Sequence, residues 1–246
     1  MSISSLSDWF ETSSGQYLLA WEQAKFDALV ADIFGYNALQ VGVPERPFLR
    51  SSRMSHRFAS AVEGSAQILT RPHAMPFASS SMDLVLLPHV LEFSRHPHQV
   101  LREVERILVP EGSVIIAGFN PFSLFGLRRA LVRNTGECPW QGHYFSAMRI
   151  RDWLTLLGFE TQSGGFGAYA PPVRSARWLE RWRFLDRAGS RWWPVCGGVY
   201  VLQGVKRVQG MRLITPRWRD NVAEKKGLAP VTRRGRGVAG SAQKVE

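Results

Sequence analysis

Residues 75–120 contain a strand, a helix and a second strand in close succession, and they constrain the fold more than any other stretch. The short apolar run at 82–87 predicts a buried parallel strand. Apolar residues recur at helical spacing over 97–108, with charged residues on the opposite face. A second apolar run follows at 114–117. Because two strands joined through one helix pair in parallel with a right-handed crossover, these residues predict a βαβ unit.

A recognisable pattern of residues runs through this βαβ unit. In the order of the chain it reads Met82-Asp83-Leu84-Val85, then His89-Val90-Leu91-Glu92, then LREVERIL and VPEG, all preceded by MPF. The pattern resembles the second half of class I S-adenosylmethionine-dependent methyltransferases of the type 11 group. The resemblance implies a Rossmann-like α/β fold with a doubly wound, mostly parallel seven-stranded sheet. It also implies S-adenosyl-L-methionine as cofactor and a methyl acceptor as substrate.

The 246 residues divide into a predicted domain and a tail. Residues 1–208 have the length and apolar content of one α/β domain, and a helical apolar pattern at 7–34 predicts a helix laid across its sheet. Residues 209–246 hold nine Lys or Arg and three acidic residues, within a net charge of +11 for the chain. Because this segment has few apolar residues, we expect a basic, largely disordered tail.

Cysteine content and hydropathy predict a cytoplasmic protein. Cys138 and Cys196 are the only cysteines, so neither a disulfide framework nor a cysteine zinc site is expected. The histidine spacings match no metal-ligand set, and no metal is predicted. No apolar run reaches the length of a membrane span, and the first residues lack the pattern of a secretory signal.

The loop after the first predicted strand departs from the family pattern. The family has an acidic residue, an apolar residue and then three alternating glycines. This chain has Gln40 at the acidic position and only Gly42 of the glycines, followed by Pro44 and Arg46. Arg71 stands where the resemblance implies an aspartate near the adenine. These replacements remove negative charge and hydrogen-bond acceptors from the expected cofactor site.

The resemblance nevertheless places a cofactor site and a candidate catalytic residue. It implies that Gln40, Gly42 and Val43 lie along the edge of the cofactor, and that Pro88 and His89 lie beside the transferred methyl group. A histidine at this position can act as a general base or orient a nucleophile. The alternative is a structural histidine with satisfied hydrogen bonds.

Two residues are predicted on the acceptor side of the crevice. Asn120 follows the strand at 114–117, and Tyr144 ends the irregular segment 135–144, a candidate lid. The sequence Asn120-Pro121-Phe122-Ser123 resembles the box with which amino-methyltransferases hold a planar nitrogen. That box follows the fourth strand, whereas this sequence follows the fifth, and it therefore favours a turn that lines the crevice.

The sequence is also compatible with a second class of function. A non-catalytic protein could keep the methyltransferase fold and bind RNA or a protein partner through its basic surface and tail. Arginine and tryptophan alternate over residues 174–193, a pattern that could stack on bases, lie at a membrane surface or form an apolar stripe. A small-molecule acceptor is favoured over nucleic acid, and the sequence predicts no oligomeric state.

Overall fold

A seven-stranded sheet forms the centre of the chain. The computed structural model describes residues 4–131, 138–172, 176–182 and 184–208. The strand order is β3-β2-β1-β4-β5-β7-β6. Neighbouring strands pair in parallel from β3 to β5, while β7 is antiparallel to both β5 and β6. The strands are β1 (Asn37–Val41), β2 (His56–Ala61), β3 (Ile68–Leu69), β4 (Met82–Pro88), β5 (Leu108–Phe119), β6 (Phe159–Gly167) and β7 (Val199–Lys206).

Helices cover both faces of this sheet. On one face α1 and α2 pack against inward-facing residues such as Ala38, Leu84 and Ile115. On the other face α3 and α5 pack against Val85 and Ile116. The predicted doubly wound, mostly parallel α/β fold is therefore confirmed. The α-helices are α1 (Ser4–Phe10), α2 (Ser13–Ala31), α3 (Pro97–Ile107), α4 (Leu124–Leu131), α5 (Ala147–Leu156), α6 (Ala176–Trp182) and α7 (Phe184–Trp192).

The single helix predicted over residues 7–34 is two helices in the structure. Thr12 caps the second helix, because its Oγ1 accepts a hydrogen bond from Gly15 N at 3.2 Å. A Cβ on Gly15 would lie 2.2 Å from the Trp9 carbonyl oxygen, so only glycine allows the two helices to meet this closely. The break turns α1 over the carboxyl end of the sheet, and this orientation shapes the site described below.

The connection from β1 to β2 contains no helix. Residues 42–55 form a series of turns instead. Phe48 and Met54 of this segment are buried, and the Phe48 ring lies 4.6 Å from the ring of Phe26 in α2. The side chains of this connection therefore pack on α2 in place of those of a crossover helix.

The helices and strands do not test the predicted boundary between domain and tail or the predicted cytoplasmic location. In the part of the chain that the structure describes, no helix has both the length and the apolar character needed to cross a bilayer. The predicted tail, residues 209–246, lies outside the described residues. The boundary between domain and tail and the cytoplasmic location therefore stay predictions.

Candidate functional site

Gln40 organises the loop that follows β1. Its Nε2 donates to the carbonyl oxygens of Gly42 at 3.2 Å, Val43 at 2.8 Å and Arg46 at 2.8 Å. Its Oε1 accepts from Phe48 N at 3.1 Å. A carboxylate at this position could accept the last of these bonds but could donate none of the others. The amide is thus suited to folding the loop on itself.

The same loop is closed from outside by the N-terminal helix. Val43 is fully buried and has a φ of 47°, a left-handed conformation that costs a β-branched residue about 1–3 kcal/mol. Ser7 Oγ donates to Glu45 at 2.9 Å, and Arg46 pairs with Glu11. The polar groups of this loop are therefore largely used within the protein.

A buried ionic cluster lies at the carboxyl end of β4. His89 Nε2 lies 2.7 Å from Glu22 Oε1 of α2, and His89 Nδ1 lies 3.2 Å from Glu92 Oε1. The same Glu92 oxygen accepts from Phe119 N at 2.6 Å. The second carboxylate oxygens of Glu22 and Glu92 are buried and have no hydrogen-bond partner among the described residues. The cluster joins α2 to the ends of β4 and β5.

The charge of this cluster is set by its two carboxylates. Burial alone would lower the pKa of His89, but Glu22 and Glu92 raise it to about 10. At neutral pH His89 is therefore an imidazolium that donates to both acids and has no lone pair to accept a proton.

Phe119, at the end of β5, is the centre of an aromatic cluster next to these acids. Its ring centroid lies 4.3 Å from the His89 ring, 5.0 Å from the Tyr144 ring and 5.6 Å from the Trp9 ring. Burial and the nearby Glu92 raise the pKa of Tyr144 well above its usual value, so its hydroxyl stays neutral. The aromatic cluster separates the ionic cluster from solvent on this side.

An open crevice lies between the ends of β2 and β4, on the carboxyl side of β1. Its volume is about 480 Å³. We call it the β2–β4 crevice. Glu63 is its acidic side chain, whereas Arg71 and Arg95 add positive charge. The lining residues are Val62, Glu63, Arg71, Pro72, His73, Val90, Phe93, Ser94, Arg95 and His96.

A second cavity, of about 700 Å³, lies on the other side of residues that line the first. We call it the acceptor-side cavity. Both are lined by Phe93, Ser94 and Arg95, so a ligand in one would lie next to a ligand in the other. Glu92 of the ionic cluster is part of its wall. The remaining lining residues are Pro97, Gln141, His143 and Phe145.

The residues predicted from the sequence to bind the cofactor lie in two different places in the structure. Gln40, Gly42 and Val43 form the closed loop, and Pro88 and His89 are buried behind the crevice. None of these residues is part of the crevice wall. Their roles in cofactor binding, and the catalytic role of His89, stay predictions.

The two predicted acceptor-side residues differ in their surroundings. Tyr144 lies in the aromatic cluster, and its two neighbours in the chain, His143 and Phe145, line the acceptor-side cavity. Asn120 is buried, and its Nδ2 donates to Val195 O at 2.7 Å and Gly197 O at 2.9 Å. Its Oδ1 accepts from Phe122 N at 3.1 Å. Because both ends of the amide are engaged, Asn120 anchors the segment before β7, and its acceptor-side role stays a prediction.

Sequence reasoning missed Glu22 as a member of the site. The sequence does contain a pattern that indicates a buried acid here. Glu22 lies between Leu18 and Phe26 at four-residue spacing, on the apolar face of α2. An acidic residue in that position predicts a buried partner. The partner could not be inferred, since His89 lies 67 residues further along the chain.

Sequence comparison finds a methyltransferase match in the part of the chain that forms the crevice. A family model described as a methyltransferase domain matches residues 49–116. The uncharacterized protein YafS of Escherichia coli is 35% identical over 130 residues, which cover 52% of this chain and 54% of that protein. The match thus spans about half the length of this relative.

Solved structures decide the fold. An S-adenosylmethionine-dependent methyltransferase from Thermotoga maritima, described as a possible histamine N-methyltransferase, superposes with a TM-score of 0.56 at 16% identity, covering 83% of this chain and 96% of that one. The chain has the class I methyltransferase fold. A methyltransferase from Archaeoglobus fulgidus gives a TM-score of 0.53 at 14% identity, covering 76% and 94%. The resemblance to class I methyltransferases is confirmed.

Within the class I methyltransferase fold, the family match covers one part of the site. The matched residues include β2, β4, α3 and the crevice wall from Val62 to His96. Gln40 and Glu22 lie before the match. The family match thus covers the crevice, while Gln40 and one acid of the ionic cluster lie in the N-terminal part that precedes it.

We expect Gln40→Ala to lower the free energy of unfolding by about 2–4 kcal/mol, because it leaves carbonyl groups and one amide without partners. Gln40→Glu, which restores the acidic residue of the family pattern, should be at least as destabilising, since a carboxylate cannot donate. Denaturant unfolding measures both effects. Gln99→Ala, an exposed change on α3, should stay within about 0.5 kcal/mol. A stabilising effect of Gln40→Glu would contradict the assigned role of the amide.

We expect His89→Gln to lower the free energy of unfolding by about 3–5 kcal/mol at pH 6, because it leaves two buried carboxylates without a counter-charge. The pKa of His89 is raised in the folded protein. Its contribution to the free energy of unfolding is therefore complete below its unfolded pKa of about 6.5 and is lost as the pH rises towards 10. The difference between wild type and variant should therefore shrink over that range. The matched control is the exposed His143→Gln. A difference that does not change with pH would show that His89 is neutral in the folded protein.

Proposed function

We propose that the protein is an S-adenosyl-L-methionine-dependent methyltransferase that acts on a small molecule. The observation that carries this proposal is the β2–β4 crevice, which opens at the carboxyl ends of parallel strands on both sides of β1. Ligands of open α/β sheets bind at this edge, where neighbouring connections leave in opposite directions. Its volume of about 480 Å³ falls within the range of small-molecule sites.

The residues of the crevice fit the adenosine half of the cofactor. Glu63 follows β2 and offers carboxylate oxygens that would accept from the ribose hydroxyls. Val90 and Phe93 supply apolar contact for the adenine. Arg71 and Arg95 would pair with the carboxylate of the methionyl part. This assignment leaves the loop organised by Gln40 as a supporting wall rather than a direct ligand.

The ionic cluster supports a cation beside β4. When bound, S-adenosylmethionine supplies a methyl group on a positively charged sulfur. Two acidic side chains, Glu22 and Glu92, flank the single His89 at the end of β4. Glu92 is also a lining residue of the acceptor-side cavity. In this reading His89 is a positioning residue that holds the two acids in place.

The acceptor-side cavity would hold the methyl acceptor. Because it shares Phe93, Ser94 and Arg95 with the crevice, it can hold an acceptor against the cofactor for in-line transfer. A volume of about 700 Å³ favours a small molecule. The comparisons give no support to the alternative of a non-catalytic scaffold that binds RNA or a protein.

Calorimetric titration with S-adenosylhomocysteine tests the proposal. We expect saturable binding to the wild type, and about a tenfold or greater loss of affinity in Glu63→Ala, because the carboxylate no longer accepts from the ribose. Asp152→Ala, an exposed acidic change on α5, should bind like the wild type. The absence of both heat and thermal stabilisation at millimolar ligand would overturn the proposal.

A further inference from the structure

The acceptor-side cavity is formed by two segments of the chain that contact each other. One follows β4, and the other precedes α5. His143 N donates to the carbonyl oxygen of Glu92 at 2.8 Å. A Cβ on Gly142 would lie 3.2 Å from the ring of Phe93, so the backbone packs closely on that ring. The two walls of the cavity are therefore fixed to each other.

The polar side chains of this cavity offer hydrogen-bond donors. Arg95 and His143 are exposed, and Gln141 is partly buried. None of these three side chains has a hydrogen-bond or ion-pair partner among the residues that the structure describes. A guanidinium only donates, an imidazole keeps at least one N–H, and a primary amide has two N–H groups beside its oxygen. Ser94 Oγ accepts from His96 N at 3.2 Å, so its own hydrogen is also available to a ligand.

The acidic side chain of the cavity wall is buried. Among the described residues that line the cavity, Glu92 is the acidic one, and it is 3% exposed. Its Oε1 is engaged by His89 and by Phe119 N. Its Oε2 is buried as well. Arg95 is therefore an exposed positive charge in a wall that presents no exposed carboxylate from the described residues.

Two phenylalanines supply the apolar part of the wall. Phe93 and Phe145 both line the cavity. The ring of Phe145 lies 5.0 Å from the ring of Trp153, which supports it from behind. Arg149 lies over the same two rings, at 5.7 Å and 5.2 Å from their centroids, and is thus already engaged. Aromatic side chains in a wall favour a flat aromatic ligand, which can pack on them in an offset or edge-on arrangement.

We propose that the acceptor-side cavity selects a small aromatic compound that carries an anionic oxygen group, a carboxylate or a phosphate. The anionic group pairs with Arg95, whose planar guanidinium can donate two parallel hydrogen bonds to either group. Gln141 and His143 donate to its remaining oxygens, and the aromatic ring packs on Phe93 and Phe145. An amine fits less well, because it would meet the charge of Arg95 and find no exposed carboxylate with which to pair.

The proposed acceptor class rests on the proposed function, in which this cavity holds the methyl acceptor. Arg95 lines both cavities, so it can pair with the methionyl carboxylate on one side and with the acceptor on the other. Its guanidinium has enough N–H groups for both. Gln141 and His143 line the acceptor-side cavity but not the β2–β4 crevice. Replacing these two residues therefore separates the acceptor from the cofactor.

Ligand-observed NMR titration of the full chain tests the proposal with four probes that share one aromatic ring. Benzoate and phenyl phosphate are anionic, benzyl alcohol is neutral, and benzylamine carries an ammonium group at neutral pH. We expect the anionic probes to bind about fivefold or more tightly than the other two, both without and with saturating S-adenosylhomocysteine. The tighter of the two anionic probes distinguishes a carboxylate from a phosphate.

Variants of the wall locate the anionic group. Arg95→Gln should weaken both anionic probes by about fivefold or more and leave benzyl alcohol within about twofold, because it removes the charge but not the rings. Gln141→Ala with His143→Ala should also weaken the anionic probes, while the affinity for S-adenosylhomocysteine stays unchanged. The matched control is Arg102→Gln, which removes an exposed arginine of α3 that lines neither cavity. It makes the same change in net charge and should bind all four probes like the wild type.

Thermal unfolding confirms that each variant is folded. Equal binding of the four probes, or an anionic preference that survives Arg95→Gln, would overturn the acceptor class without affecting the proposed function, which S-adenosylhomocysteine binding tests separately. Displacement of the anionic probes by S-adenosylhomocysteine would also overturn it, since the anion would then lie in the β2–β4 crevice. If S-adenosylhomocysteine does not bind but the preference that depends on Arg95 is present, the proposed function fails and the ligand preference of the cavity stands.

Discussion

The paired contacts of His89 with Glu22 and Glu92 hold together the edge of the sheet at which every candidate ligand surface lies. Glu22 comes from α2, His89 and Glu92 follow β4, and the Glu92 oxygen also accepts from the backbone of Phe119 in β5. Removing a charge from such a buried group leaves its partners without compensation. The position of the aromatic cluster around Phe119, and that of Glu92 in the wall of the acceptor-side cavity, therefore depends on this ionic cluster.

The loop after β1 shows how a class I methyltransferase fold can keep its shape without its usual glycines. Val43 adopts a left-handed backbone that glycine would adopt at lower cost, and the hydrogen bonds of Gln40 offset the difference. The loop is consequently compact and already satisfied. In the proposed function, ligand recognition is therefore assigned to the neighbouring β2–β4 crevice, where Glu63, Arg71 and Arg95 offer side chains instead of backbone amides.

The βαβ unit could be predicted from the sequence because its information is local. The apolar spacing over 97–108 is that of α3, and the run at 82–87 is that of β4. The second strand, predicted at 114–117, lies within the longer β5, Leu108–Phe119. Its central apolar run is therefore confirmed, whereas its full length is not visible in the local pattern.

Contacts between distant residues could not be predicted in the same way. Nothing near His89 in the sequence indicates that Glu22 would reach it, and nothing near Gln40 indicates that its amide would bind three carbonyl groups of the following loop. The break between α1 and α2 is an intermediate case. Its cap, Thr12, is visible in the sequence, but the apolar pattern continues through it and suggests one helix.

A crystal structure of the protein with S-adenosylhomocysteine would locate the ligand and the loop after β1 in one measurement. We predict that the adenosyl group lies in the β2–β4 crevice, with the ribose hydroxyls on Glu63 and the hydrogen bonds of Gln40 intact. A ligand bound through an opened loop with those hydrogen bonds broken, or a crevice that stays empty at saturating ligand, would contradict it.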